Sequence, residues 1–241
     1  MCGIIAFVST TEKQNPAQFL VDALKRLEYR GYDSWGIVFG NDPVVSKKIG
    51  KISEVASSYL PFPPEAYSRG ASLPVRQAGA LGGDQPLAET MNRPAHAGLG
   101  HTRWATHGGV TDANAHPHLD CTGRIAVVHN GIIENWEELR RQLEERGHTF
   151  RSETDTEVVA HLVEEELQAK GDSATLRDFQ EAVRIVFNRL EGLNAIVVYS
   201  PQLRAITGFR NGSPMVVGVG EGENFLASDI PAFLPYPNRV V

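Results

Sequence analysis

Met-Cys-Gly-Ile-Ile-Ala-Phe-Val, residues 1–8, is the stretch that decides the fold of this chain. Residues 3–8 form a continuous apolar run of strand length, and such runs usually lie in a sheet that is covered on both faces. Removal of Met1 would give Cys2 a free α-amine, which titrates near pH ~8 and can take a proton from the neighbouring thiol. Cys2 is therefore either a nucleophile that carries its own base or an ordinary cysteine at the start of a buried strand.

The composition is that of an ordinary globular protein, with 241 residues, 41% hydrophobic content and a formal net charge of −6. The negative balance and scattered basic residues predict no nucleic-acid partner. No apolar run reaches ~18 residues, and residues 1–8 lack the features of a secretory signal, so we expect no membrane association and a cytoplasmic location. The two cysteines, Cys2 and Cys121, exclude a disulfide framework and a four-thiolate zinc site.

Apolar periodicity predicts an ordered series of strands and helices. Asn135 and the Thr154–Glu157 pair are expected to cap two of the helices. Runs of strands, then helices, then strands predict an α+β protein with sheets between helical layers. Helices are predicted around 16–27, 135–147, 154–167 and 176–190, and strands at 3–8, 36–39, 98–104, 124–128, 194–199, 204–207, 215–219 and 225–227.

Residues 61–98 differ from the rest of the chain because they hold six of its fourteen prolines and few periodic apolar positions. This composition predicts a long surface insertion.

Several polar segments carry side chains suited to catalysis. They are His-Thr-Arg-Trp-Ala-Thr-His-Gly (101–108), Asn-Ala-His-Pro-His (114–118), His-Asn-Gly (129–131) and Ser-Glu-Thr-Asp-Thr-Glu (152–157). Together with Cys2, Leu-Glu-Tyr-Arg-Gly-Tyr-Asp-Ser (27–34) and Gly-Ser-Pro-Met (212–215), they resemble the glutaminase domain of the glucosamine-6-phosphate synthase family, within the class II glutamine amidotransferases. The resemblance covers nearly the whole chain outside the insertion. Sister amidotransferases share the leading Cys-Gly and an Asn-Gly, but 27–34 and 101–118 resemble the sugar enzymes more.

The resemblance implies an N-terminal-nucleophile hydrolase fold, an αββα sandwich of two antiparallel sheets between helical layers, over a single glutaminase domain at 1–241. It implies hydrolysis of the side-chain amide of L-glutamine to glutamate and ammonia through a Cys2 thioester, with the Cys2 α-amine as base, in amino-sugar synthesis. The implied partners are L-glutamine, glutamate and sugar-isomerase domains that bind fructose 6-phosphate, which this chain does not contain. No cofactor is implied.

Amide hydrolysis requires a nucleophile, a proton shuttle, donors for the tetrahedral oxyanion and groups that hold the two ends of the amino acid. The resemblance assigns these roles to particular residues. Cys2, Asn130 and Gly131 are the catalytic set, with the last two as oxyanion donors. Arg103 is placed on the α-carboxylate and Asp155 on the α-ammonium. Thr106 and His107 belong to a loop over glutamine, Trp104 gates ammonia, and Arg30 and Asp33 support the amino terminus.

Each residue also has a simpler interpretation. An isolated Asn-Gly is usually a tight turn, Arg103 could form a surface ion pair, Asp155 could be an N-cap, and an isolated Trp104 would more often be core. His101, His107, His116 and His118 cluster in sequence, but no cysteine or carboxylate stands at zinc-ligand spacing, so no metal site is expected.

Two departures and two rival functions stay open. Trp35 stands where the family usually has a small residue, and the 61–98 insertion is longer than in the relatives. The rival functions are a catalytically silent glutamine-binding module, in which Cys2 is never exposed at the terminus, and an amidohydrolase of the same fold that acts on other amides.

Overall fold

A computed structural model of the protein describes residues 2–54, 93–168, 170–236 and 239–241. The strands in these ranges are β1 (Gly3–Lys13), β2 (Ser34–Phe39), β3 (Val44–Ile49), β4 (Ala95–Arg103), β5 (His118–Leu119), β6 (Ala126–Gly131), β7 (Asn194–Ser200), β8 (Ala205–Asn211), β9 (Val216–Val219), β10 (Glu223–Ala227) and β11 (Arg239–Val240). The α-helices are α1 (Pro16–Lys25), α2 (Trp136–Glu145), α3 (Glu157–Gln168) and α4 (Leu176–Phe187). None of the described helices is both long and apolar enough to span a bilayer.

The strands form two antiparallel sheets. Sheet A has the order β11-β9-β10-β1-β4-β2-β3, and sheet B has the order β5-β6-β7-β8. Strands β1 and β4 are therefore central neighbours in sheet A, and β6 is an inner strand of sheet B. The predicted α+β class with two antiparallel sheets is confirmed.

Alternating side chains on the strands divide the interior into three apolar layers. On β1, Ile5 and Phe7 pack with α1, whereas Ile4 and Ala6 pack in the layer between the two sheets. The opposite face of sheet B packs on α2, α3 and α4. This period-2 division is what a strand buried on both faces requires, because successive side chains point to opposite faces.

Most predicted elements lie where the apolar periodicity put them, but several boundaries were wrong. Strand β4 begins at Ala95, inside the range expected to be an insertion, and 61–92 lies outside the described residues. Strand β6 covers Ala126–Gly131 rather than 124–128. Strands β3 and β5 were not predicted, because three polar residues, Ser46, Lys47 and Lys48, interrupt the apolar residues of β3 and because β5 has only two residues.

The helix caps show where local sequence signals failed. Asn135 makes no side-chain cap bond to α2; instead its side chain bonds the backbone of Arg189 and Glu191. The expected Thr154–Glu157 capping box was also wrong, because the Glu157 carboxylate accepts the backbone N–H groups of residues 151 and 152. An unpredicted capping box joins Thr175 and Asp178 at the start of α4.

Trp35 is only 1% exposed and belongs to the apolar layer between sheet A and α1. Its indole Nε1 has no hydrogen-bond partner among the described residues. The large side chain thus packs in the core that includes Leu24 and Leu27, and its N–H is left as one unpaired buried donor among the described residues.

We expect Leu99→Ala to lower the free energy of unfolding by about 2–5 kcal/mol, because Leu99 is fully buried between the sheets and its truncation leaves a cavity. The exposed Leu176 is the matched control, and Leu176→Ala should change stability by no more than about 0.5 kcal/mol. Urea unfolding followed by circular dichroism measures both variants. Equal losses in the two variants would contradict the layered core.

Candidate active site

The candidate site lies where strand ends from both sheets meet. Cys2 directly precedes β1, and its neighbour Gly3 pairs with Thr102 near the end of β4. Arg103 is the last residue of β4, and Gly131 is the last residue of β6. The sheet topology therefore brings the leading cysteine, the 101–108 segment and the Asn-Gly pair to one edge of the sandwich.

Cys2 is held through its thiol and through its carbonyl. The backbone N–H of Trp104 donates to the Cys2 Sγ at 3.2 Å, and the thiol faces the Trp104 carbonyl at 3.5 Å. The Cys2 carbonyl accepts from Arg30 Nε at 3.1 Å and from Asn130 Nδ2 at 2.8 Å. These contacts fix the nucleophile candidate between a residue that follows α1 and a residue of β6.

Burial raises the pKa of the Cys2 thiol above its ordinary value. The Trp104 hydrogen bond and the positive charge of Arg103 oppose this rise without cancelling it. At neutral pH the side chain is accordingly the thiol rather than the thiolate, so a nearby base is required before it can attack.

The Asn130 side chain is oriented by a buried histidine. His101 Nε2 lies 3.1 Å from both Asn130 Oδ1 and the His129 carbonyl. Because both partners are acceptors, Nε2 carries the proton, and the amide must turn its Nδ2 donors towards Cys2. Burial lowers the pKa of His101 to about 3, so this neutral tautomer persists over the physiological range.

Gly131 occupies a position that only glycine fits. Its φ of +138° lies in a region that side chains disfavour, and a Cβ there would come within 2.2 Å of the Leu193 carbonyl. The backbone after Asn130 can therefore approach a substrate closely.

Arg103 is 3% exposed and organises the loop that follows β4. Its NH1 donates to the Gly109 carbonyl at 3.0 Å, and its NH2 donates to the carbonyls of Gly108, at 3.2 Å, and His107. These bonds use three of the five N–H donors of the guanidinium, so two remain for a substrate. Sequence reasoning did not indicate this loop-holding role.

The loop itself carries Trp104, Thr106 and His107. Trp104 is 47% exposed, so it is not a core residue, and its ring lies 5.5 Å from that of Tyr32. His107 is partly buried with its ring 6.1 Å from that of Trp136, and Thr106 is exposed.

Asp155 lies at the entrance to α3 and is 4% exposed. Its Oδ2 accepts the Ile133 N–H at 2.8 Å, which links α3 to the chain just after Gly131. Burial lowers the pKa of Arg103, and the negative charges of Asp155 and Asp33, with that of Cys2 whenever its thiol ionises, oppose this shift. Asp155 and Arg103 thus interact electrostatically across the same site.

Arg30 and Asp33 contact the site from the segment after α1. In addition to the Cys2 carbonyl, Arg30 binds Asp229 Oδ2 at 3.2 Å. Asp33 Oδ2 accepts the Ala105 N–H at 2.8 Å and so fixes the chain just after Trp104.

Sequence reasoning missed the buried polar groups beneath these residues. His129 bridges Thr156 Oγ1, at 3.0 Å, and Asn194 Oδ1, at 2.8 Å. His116 stacks on His101 with ring centroids 4.2 Å apart and accepts the His129 N–H at 3.3 Å. The His-Pro-His and His-Asn-Gly motifs were the available signal, but their spacing could not show that the rings stack.

Two antiparallel sheets between helical layers form the αββα sandwich that is the fold of the N-terminal-nucleophile hydrolases. The fold agrees with solved amidotransferases: a glutamine phosphoribosylpyrophosphate amidotransferase from B. subtilis has a TM-score of 0.65, with 22% identity, over 96% of this chain and 43% of that one. An allosteric regulatory enzyme of purine biosynthesis has a TM-score of 0.69, with 22% identity, over 100% of this chain and 45% of that one.

Sequence comparison identifies the family. The model of the glutamine amidotransferase domain matches residues 101–235. The whole chain is 44% identical to the glutamine–fructose-6-phosphate aminotransferase (isomerizing) of Pyrococcus horikoshii and 46% identical to that of Streptomyces coelicolor, covering 34% of each relative. The chain belongs to the glutamine amidotransferase domain family and spans about a third of the length of these curated relatives.

The buried histidines predict acid sensitivity. The pKa of His101 is about 3 in the folded protein and 6.5 in the reference state, so the unfolded chain binds more protons between these values. Stability from this group is complete above pH 6.5 and falls as pH drops towards 3, by up to about 1.4 kcal/mol per pH unit. His101→Gln keeps an N–H donor but does not titrate, so its loss of stability between pH 6 and 4 should be shallower by that amount.

Urea unfolding at several pH values measures this slope. A slope in His101→Gln equal to that of wild type would rule out a neutral buried His101.

Proposed function

We propose that this domain hydrolyses the side-chain amide of L-glutamine to glutamate and ammonia, with Cys2 as the nucleophile. The convergence of the Cys2 thiol, the Asn130 amide and the Arg103 guanidinium at one edge of the two sheets is the observation that supports the proposal. Each group meets a separate requirement of amide hydrolysis: a nucleophile, an oxyanion donor and a carboxylate anchor.

The first half-reaction forms a thioester. After Met1 is removed, the Cys2 α-amine takes the thiol proton through one water, and the sulfur attacks the Cδ of glutamine. Collapse of the tetrahedral intermediate breaks the C–N bond, and the α-ammonium returns its proton to the departing nitrogen as ammonia forms. Water then adds to the thioester with the same amine as base, which releases glutamate and restores the thiol.

Asn130 and Gly131 stabilise the oxyanion in both half-reactions. One Nδ2 hydrogen of Asn130 holds the Cys2 carbonyl, and the amide has a second hydrogen for the developing charge. The Gly131 N–H is the second donor. Such a donor contributes about 3–4 kcal/mol to transition-state stabilisation, and it does so only if it is held in place beforehand, as His101 holds Asn130.

Each charged end of glutamine binds a side chain of the opposite charge. Arg103 has two N–H donors beyond those that hold the loop, and they suit the α-carboxylate. The Asp155 carboxylate accepts one backbone N–H, which leaves acceptor capacity for the α-ammonium. Both groups are buried, so their bonds to a charged substrate are weakly screened.

The loop after β4 covers the bound glutamine, with Thr106 and His107 against the substrate and Trp104 at the exit for ammonia. Arg30 and Asp33 support this arrangement through the Cys2 carbonyl and the Ala105 N–H. Because the relatives are about three times as long, we further propose that ammonia passes to sugar-isomerase domains that bind fructose 6-phosphate, in the cytoplasm.

An alanine inserted between Met1 and Cys2 should reduce kcat about 10²- to 10⁴-fold, since the free α-amine then belongs to a different residue and the general base is displaced. Glutamate release from L-glutamine measures the rate, and intact mass spectrometry establishes whether Met1 is absent from the active protein.

Labelling with a glutamine-like electrophile is a second test of the scheme. The chain has two cysteines, Cys2 and Cys121, so the labelled residue can be identified by mapping the adduct. An adduct on Cys2 in the wild type is expected. Full activity with the extra residue, or an adduct on Cys121, would refute the scheme. Retained Met1 in a protein that binds but does not hydrolyse glutamine would support the silent module.

Asp155→Asn should raise the KM for L-glutamine about 10- to 100-fold with a smaller change in kcat, because a charge-assisted bond to the substrate ammonium contributes about 1.5–3 kcal/mol. N-acetylglutamine lacks that ammonium, so the wild type and the variant should turn it over equally poorly.

Asp112 is the matched control, because its carboxylate also accepts a backbone N–H, from Ile49 at 2.8 Å, but it lies outside the group around Cys2. Asp112→Asn should leave the KM unchanged. Efficient wild-type turnover of amides without free α-groups would instead favour the rival amidohydrolase.

A further inference from the structure

The fold assembles a cysteine, two histidines and a glutamate at a place away from the Cys2 network. Cys121, His148, His161 and Glu164 each direct one ligand atom to a common point, and these atoms all lie within 4.8 Å of one another. Cys121 lies in the turn between β5 and β6, His148 follows α2, and the other two residues lie one turn apart on α3. We propose that these four side chains form a structural Zn²⁺ site.

The distances suit tetrahedral zinc. The Cys121 Sγ is 3.5 Å from the Nδ1 of His148 and 3.5 Å from the Nδ1 of His161. Glu164 Oε2 is 3.2 Å from the Nδ1 of His148 and 3.3 Å from that of His161. Zinc bonds of about 2.0–2.3 Å at tetrahedral angles separate the ligand atoms by roughly 3.3–3.8 Å. Four of the six edges of the tetrahedron therefore have nearly the right length, and all the ligand atoms lie within 4.8 Å of one another.

The second nitrogen of each histidine faces a carboxylate. His148 Nε2 lies 3.4 Å from Glu165 Oε1, and His161 Nε2 lies 3.7 Å from Glu157 Oε1. Histidine ligands of zinc commonly donate their remaining N–H to such a carboxylate, which fixes the ring and its tautomer. His161 Nε2 is buried and has no hydrogen-bond partner among the described residues, so the Glu157 carboxylate, 3.7 Å away, would have to move slightly closer to accept its N–H when Nδ1 binds zinc.

The ligand set indicates which metal binds and what it does. A mixture of one thiolate, two imidazoles and one carboxylate suits Zn²⁺ better than the oxygen-preferring Mg²⁺ or Ca²⁺. Protein side chains occupy all four positions, so the site is structural rather than catalytic. Binding releases the Cys121 thiol proton and joins the β5–β6 turn, the end of α2 and α3.

This position connects the metal to the substrate site through α3. Asp155 precedes His161 by six residues, and the Glu157 carboxylate that faces His161 also accepts the backbone N–H groups of Arg151 and Ser152. Zinc would thus stabilise the segment that carries Asp155, although it takes no part in the chemistry at Cys2.

The test uses the whole chain, stripped of metal with a chelator and titrated with Zn²⁺ against a chromophoric competitor. One tightly bound zinc per chain is expected, together with an increase in the temperature of unfolding. Co²⁺ in its place should give the intense visible bands of a tetrahedral site and a thiolate charge-transfer band. Absence of stoichiometric zinc binding, or a Co²⁺ spectrum without thiolate charge transfer, would overturn the proposal using the wild type alone.

Variants identify the ligands. Cys121→Ser should lose the charge-transfer band and the thermal response, whereas Cys2→Ser, at the only other cysteine, should keep both. Glu165→Gln, behind His148, should weaken zinc binding about 10- to 100-fold while the stoichiometry persists. Binding that survives in Cys121→Ser and disappears in Cys2→Ser would place the metal at the nucleophile and contradict the inference.

Discussion

The carbonyl oxygen of Cys2 is the point on which the geometry of the active site depends. It accepts one hydrogen bond from Arg30, which follows α1, and one from Asn130, at the end of β6. Apolar side chains fill most of the layer between sheet A and sheet B, and the bonds of His101 to Asn130 and to the His129 carbonyl are further directional contacts between the two sheets. Two directional bonds to one atom fix where the sulfur stands relative to the Asn130 amide, which is the accuracy that the proposed amide hydrolysis requires.

The direction of the hydrogen bond from Asn130 depends on the residues that orient its side-chain amide. The Asn130 amide could turn either way, and His101 decides its orientation because the neutral ring offers one donor to Asn130 Oδ1 and the His129 carbonyl. His101 stacks in turn on His116, which accepts the His129 N–H. Complete burial keeps the pKa values of these rings low, so a chain of neutral donors and acceptors supports a site whose own reaction moves protons.

The apolar run at 3–8 predicted a strand that is covered on both faces, and β1 is such a strand, because this signal depends on a local pattern. The choice of Asn130 and Gly131 as partners of Cys2 came from the family resemblance, since an isolated Asn-Gly pair is usually only a turn. The predictions of the helix caps at Asn135 and at Thr154–Glu157 were wrong for a physical reason. Asn135 and Glu157 had better partners at a distance, in the backbone of residues 189–191 and 151–152, than at their own helix ends.

Local sequence patterns could not predict clusters of polar side chains that come from distant parts of the chain. His148 is 27 residues from Cys121, and the two meet only because α2 and α3 pack side by side on sheet B. The same packing places Asp155 beside Ile133, so the proposed ammonium anchor directly precedes the helix, α3, that carries two proposed zinc ligands. Zinc bound by His161 and Glu164 would hold α3 against rotation about its axis. The distance between the proposed charged anchors Asp155 and Arg103 would then depend on the rigidity of α3 as well as on Asp155.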